Sequence, residues 1–162
     1  MTLGDEWRNE GGDVWSYDVL PYSTENIRYL VGNGQQLKMA QTQEYYADSG
    51  TRSSLVDNDL NAPNNAYVGA EIVLRTTSYT WEVRDVTAYE SSSKSISFTP
   101  QTFFSVGNTG GAVRGYLLQN NEYILRQNAR QNQWVHDGNR LYYYSTTDPY
   151  DLPGVIQASV VD

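Results

Sequence analysis

The chain has 162 residues, no cysteine and a formal net charge of −8, with 11 Lys and Arg against 19 Asp and Glu. Its length suits one domain that buries its own core. Without cysteine, disulfides and thiolate zinc sites are excluded, and the acidic charge repels phosphate backbones, so nucleic acid is not an expected partner. No apolar run reaches the length of a membrane span, so no membrane partner is expected either.

Strand and turn residues dominate the composition. The sequence is rich in Tyr, Trp, Thr, Val and Asn, and Gly, Asn-Gly or Asp-Gly interrupts it often. These features are typical of strands and turns. We expect an all-β fold, an antiparallel β-sandwich or distorted β-barrel of about nine strands. The predicted strands are residues 13–20, 27–31, 36–41, 70–76, 80–89, 95–99, 116–119, 140–145 and 154–160.

Two turns predict hairpins, and one segment predicts a helix. Asn33-Gly34 lies between apolar stretches and supplies the positive φ angles that a tight hairpin needs. The polar residues 90–94 connect two further predicted strands. Residues 120–132 are where a short helix is expected, although their polarity suits a solvated loop equally well.

The strand around residue 81 has the alternation of a sheet with one buried and one wet face. Tyr79, Trp81 and Val83 share one face, and polar side chains occupy the other. We therefore expect the apolar face to point into the core. The residues predicted on this basis to point inward are Trp15, Trp81, Leu141 and Tyr143.

Aromatic residues make up 13% of the chain, with 14 Tyr and 4 Trp, which exceeds what a core of this size needs. Tyrosine is amphipathic and often stays partly exposed. Sugars stack their C–H faces on such rings, while their hydroxyls bond to Asn, Gln, Asp and Arg. The composition therefore predicts a carbohydrate-contacting surface, with core packing as the alternative use of each ring. The candidate carbohydrate-binding residues are Tyr142, Tyr144, Tyr45, Tyr46, Trp134 and Tyr150.

One cluster of oxygen ligands has the chemistry of a calcium loop. Asp57, Asn58 and Asp59 supply carboxylate and amide oxygens, which Ca²⁺ accepts in irregular loops. The segment lacks the Gly and the distal Glu of an EF-hand. We expect a plain turn here and no cofactor, with Ca²⁺ as the one candidate ion.

No catalytic residue is predicted within the chain. His136 is the only histidine, and it is expected on the surface beside a turn, without a nucleophile-elbow motif to partner it. Glu82 and Arg84 lie two residues apart on one face of a predicted strand, so we expect them to form an ion pair. Paired carboxylates cleave glycosides only when roughly 5 to 10 Å apart across the sugar, and the sequence alone does not position two in that way.

The order of motifs resembles a known family. Over about 150 of the 162 residues, the chain is similar to the all-β domain embedded in secreted right-handed parallel β-helix proteins of the glycoside hydrolase and polysaccharide-processing type. Most of the shared residues form strands or turns, so the resemblance specifies a fold more strongly than a function. The residues that carry it are 14–17, 29–34, 37–40, 69–75, 79–84, 96–100, 115–120, Trp134, 137–138, 141–144, 148–149 and 155–159.

Two segments depart from that family's pattern. The family strand that ends in Ala-Arg and a Pro-containing turn reads Ala-Gln-Thr-Gln at residues 40–43. The Pro-Gly-Glu step before the late tryptophan reads Arg-Gln-Asn-Gln at residues 130–133. Any role that this arginine has in the family therefore has no residue to perform it in this chain.

The resemblance implies a piece of a larger protein. Residues 13–162 are expected to form a single β-domain whose neighbouring ends lead into a β-helix of the parent, and residues 1–12 are expected to be a leader or an artificial start. No signal-peptide core occurs in residues 1–12, so secretion or cell-surface localisation is implied by the resemblance alone.

In relatives of this type, acidic side chains on the β-helix rungs perform the glycosidic chemistry. The resemblance therefore implies a non-catalytic accessory domain, with weak carbohydrate binding through surface aromatics. Its expected partners are a polysaccharide or oligosaccharide and the β-helix of the same parent chain. The alternatives are a purely structural domain that packs on the β-helix and a cell-surface adhesion or scaffold module. Glycoside cleavage within this chain is the least expected function.

Overall fold

The computed structural model describes residues 1–19, 27–77, 80–103, 106, 115–152, 154 and 156–160. Residues 20 and 155 of the predicted strands, and Tyr79 of the predicted apolar face, lie outside the described residues. The chain divides into two compact units, which we call unit 1 (Met1–Ala40 with Glu122–Asp162) and unit 2 (Gln41–Asn121). The single domain over 13–162 stays a prediction, and each unit is described by itself.

Fifteen strands and one short α-helix make up the regular structure of the described residues. The helix is α1 (Glu122–Asn128), and a 3₁₀ turn spans Pro149–Asp151. The strands are β1 (Arg8–Asn9), β2 (Val14–Asp18), β3 (Ile27–Gly32), β4 (Gln35–Gln36), β5 (Lys38–Met39), β6 (Tyr45–Tyr46), β7 (Ser49–Gly50), β8 (Ser54–Val56), β9 (Glu71–Arg75), β10 (Trp81–Glu90), β11 (Ser95–Thr99), β12 (Gly115–Gln119), β13 (Gln133–Asp137), β14 (Arg140–Tyr144) and β15 (Gln157–Val160).

Unit 1 is a small sandwich. One sheet has the strand order β1-β2-β14-β13-β5, and the other has the order β15-β3-β4. Apolar side chains of both sheets form one buried cluster between them, as alternation along half-buried strands requires. Its fully or nearly buried members are Leu3, Trp7, Val19, Ile27, Leu30, Trp134, Leu141, Tyr143, Ile156 and Ala158.

The first residues of the chain are part of unit 1. The ammonium group of Met1 donates to the carbonyl oxygen of Ala158 at 2.8 Å, and the amide of Ala158 donates back to Met1 at 2.8 Å. Leu3 and Trp7 are 4% and 8% exposed. The segment expected as a leader therefore pairs with β15 and adds two side chains to the core.

Unit 2 contains one seven-stranded sheet with the order β6-β12-β9-β10-β11-β8-β7. Every pairing in it is antiparallel. One face of the sheet is buried, because alternate residues of β9 and β11 are almost inaccessible to solvent. The central buried side chains of this face are Leu55, Ile72, Leu74, Ile96, Phe98, Tyr116 and Leu118.

The predicted all-β class is confirmed, and so are the local predictions about turns and the helix. Asn33 and Gly34 have φ angles of 51° and 72° and join β3 to β4 as a two-residue hairpin. Residues 91–94 join β10 to β11. The count of about nine strands was too low, because six of the fifteen strands were not predicted as separate elements, and most of these six are only two or three residues long.

Gly50 fills a tight place in unit 2 and supports a stability prediction. A Cβ atom at this position would lie 2.6 Å from the carbonyl oxygen of Val106 and 2.8 Å from that of Ser54. Because both obstacles are backbone atoms, we expect Gly50→Ala to lower the free energy of unfolding by about 1–3 kcal/mol. Urea denaturation followed by circular dichroism measures this, with Gly4→Ala as the control, because a Cβ at Gly4 would meet only the Tyr17 hydroxyl at 3.9 Å, an ordinary contact distance. A larger loss in the control would contradict the prediction.

Candidate functional site

Tyr142 and Tyr144 lie in β14 on the face of the five-stranded sheet that points away from the unit 1 core. Both are only partly exposed. α1 packs on β13 and β14, and the pKa of Tyr142 is raised, first by burial and then by the nearby carboxylate of Glu122 in α1. The hydroxyl of Tyr144 donates to Asp13 at 3.3 Å. Tyr142 therefore lies beside the helix, and Tyr144 on the same face is hydrogen-bonded to Asp13.

Trp134 does not lie on the surface. It is 1% exposed, belongs to the unit 1 core, and its indole N–H donates to the carbonyl oxygen of Leu37 at 3.3 Å. The prediction of a surface ring here was wrong because residues 133–137 form strand β13, which was not predicted, and Trp134 pairs with buried Tyr143. His136 also lies in this strand, partly exposed and next to the hairpin turn that joins β13 to β14, with its ring 6.0 Å from that of Trp134.

Tyr150 is the most exposed of the predicted tyrosines. It is 63% exposed in the 3₁₀ turn, where its amide donates to the carboxylate of Asp148 at 2.9 Å. Tyr150 lies outside the sheets, so it has no cross-strand neighbour. Unit 1 also exposes the ring of Tyr29 in β3, which is 40% exposed.

Tyr45 and Tyr46 point to opposite faces of the unit 2 sheet, as neighbours in a strand must. Tyr45 pairs with buried Tyr116, and the ring centroids are 5.7 Å apart. Tyr46 pairs with Gly115 and is 57% exposed. Of these two candidates, only Tyr46 offers a free ring face to a ligand.

Trp81 lies on the outward face of the sheet, contrary to the prediction that it points inward. It is 49% exposed, and Val83, two residues along β10, is 50% exposed. The alternation itself was predicted correctly, but the assignment of the core side was inverted. Leu141 and Tyr143, predicted inward by the same reasoning, are 0% and 1% exposed, and Trp15 is partly buried against their cluster.

The physical reason for the inversion is the ion pair that β10 buries. Glu82 and Arg84 oppose the fully buried Leu74 and Ile72, and their side chains are 10% and 18% exposed. The two charged groups contact each other directly, and the carboxylate of Glu82 also accepts from the amide of Phe103 at 3.0 Å. Satisfied charges can occupy the inner face, so the aromatic and apolar residues take the outer one.

A row of residues on the outward face crosses four strands of unit 2. Trp81 on β10 is opposite Arg75 on β9, and Tyr46 on β6 is opposite Gly115 on β12. Because Tyr116 is opposite Leu74, the same antiparallel register sets Gly115 beside Arg75. The four residues therefore share one face, and we call them, with Glu44, the outer row.

Charged groups lie between the two rings of the outer row. The guanidinium carbon of Arg75 is 5.8 Å from the centroid of the Trp81 ring, within cation–π range. A Cβ on Gly115 would lie 1.9 Å from Oε1 of Glu44, so the Glu44 side chain lies across this glycine. Trp81, Arg75 and Glu44 were not predicted as site residues. Only the strand register brings Trp81 and Arg75 to the face of Tyr46, whereas Glu44 is two residues before Tyr46 in the chain.

The candidate calcium residues form a closed turn. Asp57 is 1% exposed, and its carboxylate accepts from the Tyr116 hydroxyl at 2.7 Å and from the Asp59 amide at 2.9 Å. The amide of Asn58 donates to the carboxylate of Asp48 at 2.8 Å. Within the described ranges, no group of three or more His, Asp and Glu residues is arranged to hold a metal ion. The calcium hypothesis stays a prediction.

Comparison of the chain with protein-family models, with curated proteins and with solved structures found no match. In the part of the chain that the structure describes, no helix has the length and apolar character needed to cross a bilayer.

Proposed function

We propose that this chain is a non-catalytic accessory domain that contacts carbohydrate, and that it belongs to a larger polysaccharide-processing β-helix protein. The contact surface is the outer row of unit 2. The observation that carries the proposal is the exposure of Trp81 and Tyr46, at 49% and 57%, on the same face of one sheet. The parent protein and its secretion are proposed from the resemblance of the sequence.

The chemistry between the two rings favours a sugar over an apolar partner. An apolar partner would be expected to meet a continuous apolar patch, whereas here a guanidinium and a carboxylate separate the rings. A sugar presents both kinds of surface, since its C–H face stacks on a ring and its hydroxyls donate to carboxylates and accept from guanidinium groups. Side chains held on strands also keep such a platform in place before binding.

Alanine substitutions of the two rings test the proposal. We expect Trp81→Ala and Tyr46→Ala each to weaken binding to a bound glycan at least tenfold, about 1.4 kcal/mol. The measurement is a glycan array followed by isothermal titration with the best neutral and acidic hits. Tyr150→Ala is the matched control, because it removes a ring of similar exposure from unit 1. Loss of binding only in the Tyr150 variant would place the site elsewhere.

A structural role is the second candidate, and the next row of the same face favours it. Leu117, Val73 and Val83 are cross-strand neighbours beside the outer row, and Val83 is 50% exposed. A domain that packs on the parent's β-helix would cover this face with protein. If the folded chain binds no glycan and self-associates, and Val83→Lys abolishes the self-association, the structural role replaces carbohydrate binding.

A further inference from the structure

We infer that the ligand of the outer row is a neutral polysaccharide chain that lies across the strands and contacts both rings at once. The inference rests on the proposed function and adds the ligand's charge, direction and minimum length. It depends on three observations: the spacing of Tyr46 and Trp81, the side chains between them, and the charges around them.

The spacing sets the length. Tyr46 and Trp81 occupy β6 and β10, which are separated by β12 and β9. Three inter-strand steps amount to about 14 Å, a span that about three sugar rings of an extended chain cover. A disaccharide reaches one ring at a time. A chain of three or four sugars reaches both, so it runs at right angles to the strands.

The groups between the rings supply hydrogen bonds along that path. Gly115 leaves room above β12, and the Glu44 side chain occupies it. Arg75 holds its guanidinium against the Trp81 ring. A sugar in the middle of the chain would therefore meet a carboxylate as acceptor and a guanidinium as donor, while its neighbours stack on the two rings.

The surrounding charge excludes acidic glycans. Glu71 and Asp85 are cross-strand neighbours on the same face, and Glu44 adds a third carboxylate. Arg75 is the one cation that the described strands β6, β12, β9 and β10 place on this face. The chain as a whole carries a net charge of −8. A uronate polymer would be repelled, whereas a neutral chain is not.

A length series on the full chain tests the inference. Cello-, xylo- and manno-oligosaccharides from disaccharide to hexasaccharide, with oligogalacturonates of the same lengths, are titrated by calorimetry at low and moderate salt. We expect a neutral series to gain at least tenfold in affinity from disaccharide to tetrasaccharide and then to level off. The oligogalacturonates are expected to bind at least tenfold more weakly at low salt.

Variants separate the contributions of the outer row. Tyr46→Ala should abolish the gain with length while it leaves disaccharide binding at Trp81 within about threefold of the unsubstituted chain. Glu44→Gln should reduce the preference for neutral over acidic oligosaccharides, because it removes one carboxylate and keeps the shape. Tyr150→Ala should change neither quantity. Thermal melting of each variant checks that it is folded.

The outcomes distinguish the inference from the function on which it rests. Binding that requires Trp81 but is independent of chain length, or that favours oligogalacturonates, would overturn the inference and leave the carbohydrate-binding function standing. A gain with length that survives Tyr46→Ala would also overturn it. A folded chain that binds no glycan on the array or in titration overturns both.

Discussion

We expect Trp134→Ala to lower the free energy of unfolding by about 3–5 kcal/mol, as is usual for a large aromatic residue removed from a core. Trp134 is 1% exposed, packs with Leu141 and Tyr143, and donates its indole N–H to Leu37. Its loss leaves a cavity and a carbonyl oxygen without that donor. The measurement is urea denaturation followed by far-ultraviolet circular dichroism, which does not depend on the removed fluorophore.

Trp81→Ala is the matched control within the same chain. Because Trp81 is 49% exposed and has solvent on one side, we expect its substitution to change the free energy of unfolding by less than about 1 kcal/mol. The pair also separates stability from binding, since Trp81→Ala is expected to lose the glycan while keeping the fold. Equal losses of stability in the two variants would contradict the placement of one tryptophan inside and the other outside.

These two tryptophans show how far the sequence predicts the fold. The β class, the Asn33-Gly34 hairpin and the helix near residue 122 follow from local composition, because turn residues and periodicity are local signals. Which side of a strand is buried is decided by neighbouring strands. The inner face of β10 accepts Glu82 and Arg84 because they satisfy each other and the backbone beside them, which no alternation rule detects.

The candidate site illustrates the same limit. Tyr46 was predicted from its exposed, polar surroundings in the sequence. Arg75 and Trp81 lie about thirty residues further along the chain and reach it only through the β6-β12-β9-β10 register. Gly115 is the one residue of the outer row whose type indicates the arrangement, because a glycine inside a strand often marks the close approach of another group, here the Glu44 side chain.

The buried hydrogen bond between Asp57 and Tyr116 leads to a second prediction of a large loss of stability. Both residues are at most 1% exposed, and the tyrosine hydroxyl donates to the carboxylate at 2.7 Å. We expect Asp57→Ala to lower the free energy of unfolding by about 3 kcal/mol. The substitution leaves the buried Tyr116 hydroxyl without its acceptor and removes the hydrogen bond from the Asp59 amide that closes the turn. Tyr116→Phe should cost about 1–3 kcal/mol, because the buried carboxylate keeps its turn partner but loses its strongest donor.

A double-mutant cycle measures how much of this effect belongs to the pair. The Asp57→Ala/Tyr116→Phe variant lacks both polar groups, so neither remains buried without its partner. Its loss of stability should therefore be smaller than the sum of the two single losses by at least about 0.5 kcal/mol. The measurement is urea denaturation of the four proteins under one condition. Strict additivity would mean that the two groups do not stabilise each other.

The change of the unfolding free energy at alkaline pH tests the same pair through the ionisation of Tyr116. Burial, and then the hydrogen bond to Asp57, raise the pKa of Tyr116 above its ordinary value. Above about pH 10 the unfolded tyrosine therefore ionises while the folded one keeps its proton, so the stabilisation present below that pH is lost as the pH rises. Tyr116→Phe has no such proton, and every other tyrosine is common to both proteins. The difference in unfolding free energy between the original chain and Tyr116→Phe should accordingly shrink between about pH 8 and pH 11. A difference that stays constant or widens would show that folding does not raise the pKa of Tyr116.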